Sequence, residues 1–160
     1  MAGDIKNKYG SNNQSITITL TNLADSAARE GTAVDNTSNV FIDALVFFHD
    51  IKTGDTGVSS SGYLNVYAYG TANGGTDYSD TCTGSDAAVT VTTPPSVRWI
   101  GIITAVANAT SYRAGPFSVA AAFGGILPDK WGIVVENKTG HHLDAAAGGS
   151  AFYQGVYGQH

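Results

Sequence analysis

Short runs of alternating apolar and polar residues, broken by glycine-rich turns, are the feature that most constrains this chain. In the segment WGIVVENKTG, residues 131–140, one set of alternate residues is apolar: Trp131, Ile133 and Val135. The opposite set contains Val134 and Glu136. A period of two places successive side chains on opposite faces of a β-strand. NKTG is typical of a turn, because asparagine tolerates the left-handed conformation and glycine enters it freely. We interpret Glu136 and Lys138 as rim charges.

The same patterns predict about eight strands along the chain. They are Gln14–Asn22, Val40–Asp50, Tyr63–Ala72, Ala87–Thr92, Val97–Ala107, Pro116–Gly124, Lys130–Asn137 and Ala151–Gly158. No long segment has the 3.6-residue period of a helix. Turn signals between short strands favour an all-β, antiparallel β-sandwich that resembles a jelly roll, with a closed barrel as the alternative. We expect the second and third of these strands to pair as a long hairpin.

The ends and the first connection of the chain suggest one domain with an arm. The polar residues 1–13 are predicted to form a flexible N-terminal arm, and residues 14–160 a single sandwich domain. In the connection after the first strand, Asp25 is predicted to cap a short helical turn over Ser26–Arg29 that ends at Gly31.

Composition excludes several classes of function. The net charge is −5, and the eight lysines and arginines are scattered, whereas nucleic-acid binding usually needs a basic stripe. No stretch approaches the ~18 apolar residues of a membrane span. Cys82 is the only cysteine, so no intrachain disulfide can form. The first fifteen residues lack the apolar core of a secretory signal, so we expect synthesis in the cytoplasm.

The sequence contains no catalytic signature, and we predict a protein that is not an enzyme and needs no cofactor. Glu30 and Glu136 are the only glutamates, and nothing in their context favours an acid–base pair. His141 and His142 are adjacent, so their rings should point to opposite sides of an extended segment, and no zinc site is expected. Calcium in the aspartate-containing loops 50–55 and 77–86 is a weaker alternative.

Glycan binding is a further alternative, because tyrosines are plentiful. Tyr63, Tyr67 and Tyr69 are expected to line one face of a strand, and further tyrosines lie in loops. Tyrosines also cover ordinary sheets, with the ring packed and the hydroxyl solvated, and this is the more economical interpretation. Trp99 and Trp131 lie in apolar strands and are predicted to be core residues.

Four strings together resemble small virion structural proteins of tailed bacteriophages. They are DIKNKYGSNNQSITITLTNLADSAARE, NVYAYGTANGGTDYSD, GPFSVAAAFGGILPDKWGIVVENKTG and FYQGVYGQH. The resemblance covers nearly the whole chain and implies a β-sandwich protein located in the virion. The role it favours is capsid decoration, as a cement protein on the head shell. A tail, neck or fibre-associated protein, or a carbohydrate-binding module for host recognition, is the alternative.

The resemblance also implies partners. The major capsid protein or another virion protein is the expected partner, and a homo-oligomer, with a trimer favoured, is the expected state. The N-terminal arm and the loops Lys52–Gly62 and Asn73–Asp86 are expected to contact neighbours. The individual residues predicted as partner contacts are Lys6, Lys8, Tyr9, Asn12, Lys52, Asp55, Tyr78 and Asp80.

Overall fold

The computed structural model describes residues 6–145 and 150–159. They form eleven strands and one short 3-10 helix, Ala120–Phe123. The strands are β1 Lys6–Tyr9, β2 Gln14–Ile16, β3 Ala28–Glu30, β4 Val34–Asp35, β5 Asp43–Lys52, β6 Tyr63–Thr71, β7 Ala87–Val89, β8 Arg98–Thr104, β9 Ser111–Ser118, β10 Lys130–Lys138 and β11 Ser150–Gln159. No helix among these residues is long and apolar enough to cross a bilayer.

The strands form two antiparallel sheets. Sheet A has the order β1-β11-β5-β9, with β2 also paired to β11, and sheet B has the order β7-β3-β10-β6-β8, with β4 also paired to β10. Counting β2, β3, β5, β6, β8, β9, β10 and β11 as strands one to eight, sheet A runs 1-8-3-6 and sheet B runs 2-7-4-5. This is the strand order of a jelly roll, so the predicted antiparallel β-sandwich is confirmed.

The strand count exceeds eight because two edges are interrupted. β1 and β2 pair with successive stretches of β11, and β3 and β4 pair with successive stretches of β10. A short additional strand, β7, pairs with β3. Residues 6–9 were predicted to belong to the flexible arm, but they form β1, because their backbone groups bond to the end of β11. Residues 1–5 of the predicted arm lie outside the described residues.

The main core lies between the two sheets. Ile16, Ile18 and Leu20 face it as their alternation predicts, although only Gln14–Ile16 of that segment is assigned as strand. Trp131 is fully buried, and its ring meets the Tyr153 ring edge-on at a centroid distance of 5.3 Å. The alternating faces of β10 follow the prediction for WGIVVENKTG, since Trp131, Ile133 and Val135 share this core.

A second, smaller core lies on the outer face of sheet B, under the connection between β6 and β8. It contains Tyr67, Tyr69 and Val134 from the sheet. Cys82, Val89 and Val97 come from residues 72–97, which cover this face of the sheet. The hydroxyl of Tyr69 donates to the carbonyl of Gly31 at 2.5 Å. We call residues 72–97 the covering segment.

Several local predictions are wrong. Ala28–Glu30 is a strand and not part of a helical turn, because it completes the ladder between β10 and β7. β5 and β6 do not form a hairpin but lie in different sheets. The predicted strand Pro116–Gly124 is replaced by the end of β9 and the 3-10 helix.

Candidate interaction surfaces

An apolar surface is formed by two neighbouring loops at one end of the sandwich. Val40, Ile42 and Ile126 are 72%, 47% and 76% exposed. Ile42 lies beside a shallow cavity of about 360 Å³ that is also lined by Ala121 and Gly125. The backbone N–H of Asn36 donates to the backbone carbonyl of Asp129 at 2.7 Å, so the two loops are tied together. We call Val40, Ile42, Ala121 and Ile126 the apolar loop surface.

Val40 is held in a conformation that valine rarely adopts. Its φ is +50°, in the left-handed region, which is an outlier for a β-branched residue. The side chain of Asn36 fixes this loop: its amide donates to the carbonyl of Phe41 at 3.0 Å, and its oxygen accepts from the Phe41 amide at 2.9 Å. The Val40 amide also donates to the Asn36 carbonyl at 2.9 Å. Such strain persists where the surroundings impose it, and it concentrates at functional positions.

A groove runs over the outer face of sheet A. Its volume is about 510 Å³, within the range of small-molecule sites. The apolar part is formed by Leu45, Phe47 and Pro116, and amides of three polar residues line the same groove: Asn12, Asn13 and Gln154. The Phe47 ring also packs against that of Phe152 at a centroid distance of 5.6 Å. The groove therefore combines a flat apolar surface with hydrogen-bonding groups.

Charges at one end of the groove offset each other. His49 and Arg113 both line it. The His49 Nδ1 is 2.7 Å from an Asp50 oxygen, and an Arg113 nitrogen is 3.8 Å from the other. All three side chains are 40% exposed or more, so these contacts contribute little stability. The groove thus carries no strong net charge.

The predicted contact residues from the arm lie along one edge of sheet A. Lys6, Lys8 and Tyr9 belong to β1 and are exposed, with Tyr9 at 58%. The Lys8 ammonium lies 5.5 Å from the centre of the Tyr157 ring. Asn12 is part of the groove. The structure therefore brings Asn12 to a concave surface and leaves the β1 side chains available to solvent.

The other predicted contact residues are separated from this edge. Lys52 pairs with Asp144 at 2.9 Å, and Asp55 is exposed beside a cavity of about 320 Å³. His141 and His142 line the same cavity. The expectation that these two rings point to opposite sides is wrong, because their centroids are 4.1 Å apart. Within residues 6–145 and 150–159, no group of three or more His, Cys, Asp or Glu side chains could hold a metal ion.

Tyr78 and Asp80 have structural roles within the covering segment. The Tyr78 ring meets Tyr69 edge-on at 5.3 Å. Asp80 accepts hydrogen bonds from the amides of Ser96 and Val97 and from the Thr92 hydroxyl. Burial raises the pKa of Asp80, but these hydrogen bonds outweigh it and hold the pKa below its ordinary value. That Tyr78 and Asp80 contact a partner stays a prediction.

The two glutamates both have donors within the chain. Glu30 is fully buried and accepts from the amide and hydroxyl of Thr83 and from the Gly84 amide. Glu136 accepts from Asn65 and Tyr67 and lies 3.0 Å from the Lys138 ammonium. Burial raises the pKa of Glu136, and these partners lower it by more. Burial together with the charge of Glu136 raises the pKa of Tyr67 to about 12.

The aromatic residues differ from the sequence prediction. Tyr67 and Tyr69 are buried under the covering segment, so the expected tyrosine-lined face is not available to a glycan. Trp99, predicted to be a core residue, is 58% exposed, because a register shift in the pairing of β8 with β6 places it on the outer side. The sequence did not predict Val40 and Ile126 as surface residues, because each stands at the start of an apolar run, Val40–Ile42 and Ile126–Leu127.

No protein-family model, curated protein or solved structure matches this chain significantly.

Proposed function

We propose that this chain is a structural protein of a tailed-bacteriophage virion, a capsid decoration protein that docks on the head shell through the apolar loop surface. The observation that most supports this proposal is the conformation of Val40. Its side chain is exposed, and the hydrogen bonds made by Asn36 hold the loop so that the Val40 backbone is strained. A large apolar side chain that is exposed and held in a strained conformation is consistent with a docking contact, because strain concentrates at functional positions and exposed apolar patches mark interaction sites. The resemblance of the sequence to small phage structural proteins is the second support.

The physical basis of such a role is mass action. A protein that binds the assembled shell but not free subunits stabilises the shell by its binding free energy. Val40 and Ile126 present most of their area to solvent and Ile42 nearly half, and full burial of such side chains contributes roughly 1.5–3 kcal/mol each relative to exposure. The two loops are tied together by the hydrogen bond between Asn36 and Asp129, which holds these side chains in place before docking and reduces the entropic cost of binding. The major capsid protein is the partner this role implies.

Binding to particles that lack this protein tests the proposal. Purified chain is added to such particles, and occupancy is measured by co-sedimentation. We expect the wild type to bind in many copies and Ile126→Lys to lose most of that binding, because a charge is placed on the docking surface. Ala72→Lys, at an exposed position just after β6, is the matched control and should bind normally. Equal binding of both variants would contradict the proposal.

The groove on sheet A supports a second candidate, a carbohydrate-binding module for host recognition. Its apolar surface fits the C–H face of a sugar ring, and its amides fit hydroxyl groups. Titration with neutral oligosaccharides, monitored by NMR, tests this function. Shifts at Phe47 and Gln154 that disappear in Phe47→Ala would favour it, and an unchanged spectrum would contradict it.

A further inference from the structure

Three side chains meet on the outer face of sheet B, where β6 and β10 lie side by side. Glu136 in β10 pairs directly with Asn65 in β6, and Lys138 lies two residues further along β10 on the same face. The Lys138 Nζ is 3.0 Å from one oxygen of the Glu136 carboxylate, and the Asn65 Nδ2 donates to the other oxygen at 3.0 Å. One carboxylate therefore connects a primary amine to a carboxamide. We call Lys138, Glu136 and Asn65 the amine–carboxamide cluster.

The amine–carboxamide cluster is partly shielded from water. The Glu136 side chain is 13% exposed and that of Lys138 is 34% exposed. Tyr67, two residues after Asn65 in β6, is buried and donates its hydroxyl to the same carboxylate at 3.2 Å. Val134, two residues before Glu136 on the same face, belongs to the smaller core. Three donors and an apolar neighbour therefore hold the carboxylate in one place.

Another ion pair of this sheet has a different composition. The Lys130 ammonium lies 3.7 Å from an oxygen of Asp35, and the Asp35 side chain is 54% exposed. The same carboxylate accepts from the backbone N–H and the hydroxyl of Thr37. Among the described residues, no side-chain amide bonds to the Asp35 carboxylate, so that pair offers the amine no acyl carbon. The amine–carboxamide cluster differs from it in containing both reactive groups.

We propose that Lys138 and Asn65 form an isopeptide bond, with Glu136 as the catalytic base and acid. The Lys138 ammonium gives one proton to Glu136, and the uncharged Nζ attacks the Asn65 Cγ. A bond forms between Nζ and Cγ, and the bond between Cγ and Nδ2 breaks. Nδ2 takes the proton held by Glu136 and a second proton from Nζ, and leaves as ammonium. The reaction consumes no oxidant or other co-reactant, and the positive charge of the lysine departs with the ammonium.

The positions of the three groups fit these steps. The carboxylate already contacts both the amine that must lose a proton and the nitrogen that must gain one. Diagonal neighbours on paired strands are about 7–8 Å apart, a distance that a long side chain such as lysine can span. Rotation about the side-chain torsions of Lys138 brings Nζ to the Asn65 Cγ without a movement of either strand. Because the paired strands hold the reactants together, the reaction is intramolecular, which offsets the low reactivity of a carboxamide.

The crosslink joins two neighbouring strands in the interior of sheet B that are distant in sequence. Like a disulfide, it limits the conformations of the unfolded chain, so the crosslinked protein should melt at a higher temperature than Lys138→Arg. Arginine keeps a positive charge beside Glu136 but does not lose a proton to become a nucleophile. The inference goes beyond the proposed function and does not rest on it.

Peptide mapping of the full chain tests the bond. Trypsin cuts after lysine and arginine, so an unmodified chain gives residues 53–98, 131–138 and 139–160 as separate peptides. The isopeptide bond protects Lys138 from trypsin and joins residues 53–98 to residues 131–160, with the loss of one ammonia. We expect this branched peptide from the wild type after incubation at about pH 9, where more of a lysine amine is uncharged than at neutral pH. A wild type without the branched peptide would overturn the proposal.

Three variants assign the roles of the residues. Glu136→Gln keeps the size of the side chain but removes the base, and should form at least about a hundredfold less crosslink. Lys138→Arg should form none. Lys130→Arg, in the ion pair without a carboxamide, is the matched control and should form as much crosslink as the wild type. Far-UV spectra establish that the variants are folded. Equal amounts of crosslink in Glu136→Gln and the wild type would overturn the proposal.

The branched peptide is required because ammonia has a second source. An asparagine that precedes glycine can cyclise onto its own backbone with the loss of ammonia, and Asn73 and Gly74 form such a pair. That loss persists in Lys138→Arg and leaves residues 53–98 unbranched. A loss of ammonia from residues 53–98 with no branch to residues 131–160 would overturn the proposal.

Discussion

Glu30 and Thr83 are 53 residues apart in the chain, yet the Glu30 carboxylate accepts two hydrogen bonds from Thr83. The backbone N–H donates at 2.9 Å and the hydroxyl at 2.8 Å. The Gly84 amide adds a further bond at 3.1 Å. A buried carboxylate in β3 therefore fixes the middle of the covering segment onto sheet B. Because Glu30 is fully buried, these bonds are shielded from water and should be strong.

Replacing this carboxylate should loosen the covering segment. Glu30→Ala leaves buried donors without an acceptor, and we expect a loss of roughly 2–4 kcal/mol in the free energy of unfolding. Thr83→Ala removes only the hydroxyl donor and should cost about 1 kcal/mol. Urea unfolding measures both. A Glu30→Ala variant as stable as Thr83→Ala would show that the carboxylate does not anchor the segment.

The reactivity of the Cys82 thiol tests the same contact between Glu30 and the covering segment. Burial, reinforced by the charge of Glu30, raises the pKa of the Cys82 thiol to about 12. At pH 8 roughly one thiol in ten thousand is then ionised, and the thiolate is the reactive form. We expect no reaction with a thiol reagent until the protein unfolds, and faster labelling in Glu30→Ala. Immediate stoichiometric labelling of the native wild type would contradict this environment.

Asp86 should make stability depend on pH in the acid range. Burial raises its pKa, but hydrogen bonds from Arg29 and Thr19 outweigh this and hold the pKa below the ordinary 3.8. A carboxyl whose pKa is lower in the folded state stabilises the fold above its unfolded pKa. That contribution is lost as the pH falls through the folded value, so the loss is confined to pH below about 4.

Asp86→Asn tests this contribution. At neutral pH we expect the variant to lose about 1–2 kcal/mol, because charge-assisted bonds to Arg29 and Thr19 are replaced by weaker ones. The difference from wild type should shrink as the pH falls below about 4. Asp55→Asn, at an exposed loop position, is the control and should change stability by less than about 0.5 kcal/mol. A wild-type to Asp86→Asn difference that is constant with pH would contradict the linkage.

Val40 should show a trade-off between stability and docking. Val40→Gly removes the strain at φ +50° and should raise the free energy of unfolding by about 1 kcal/mol. The same change removes an exposed apolar side chain from the apolar loop surface, so affinity for particles should fall by roughly fivefold. Urea unfolding and co-sedimentation measure the two effects.

Ala109 provides the matched control for this trade-off. It is exposed, has φ +48°, and lies in a different loop. Ala109→Gly should therefore gain stability in the same way, with unchanged particle binding. If Val40→Gly keeps wild-type affinity, the strained valine has no part in docking.

The fold class was predictable because strands that face one core alternate strictly. β6 and β10 were predicted almost to the residue, since each has apolar residues at every second position toward the main core. β3 was missed because three residues carry too little periodicity, and its alanine-rich neighbourhood suggests a helical turn. Its strand conformation depends on β10 and β7, which are distant in sequence.

The pairing of strands and the surfaces were less predictable. A ten-residue connection after β5 allows a hairpin but also a crossing to the other sheet, and the outward face of β5, packed with Phe152, favours the second. Trp99 looks like a core residue from its apolar neighbours, yet one irregularity in register turns it to solvent. The hydrogen bonds between Asn36 and Phe41 span only five residues, but no hydrophobic periodicity predicts them, because they depend on the loop folding back on itself.

Imaging of intact phage particles, at a resolution that resolves side chains, tests whether this chain is a docking protein of the virion, as we propose. We expect many copies of this jelly roll on the outer surface of the head, with Val40, Ile42 and Ile126 buried against the major capsid protein. Particles that carry no copy on the head, or copies bound with these three side chains exposed to solvent, would contradict it.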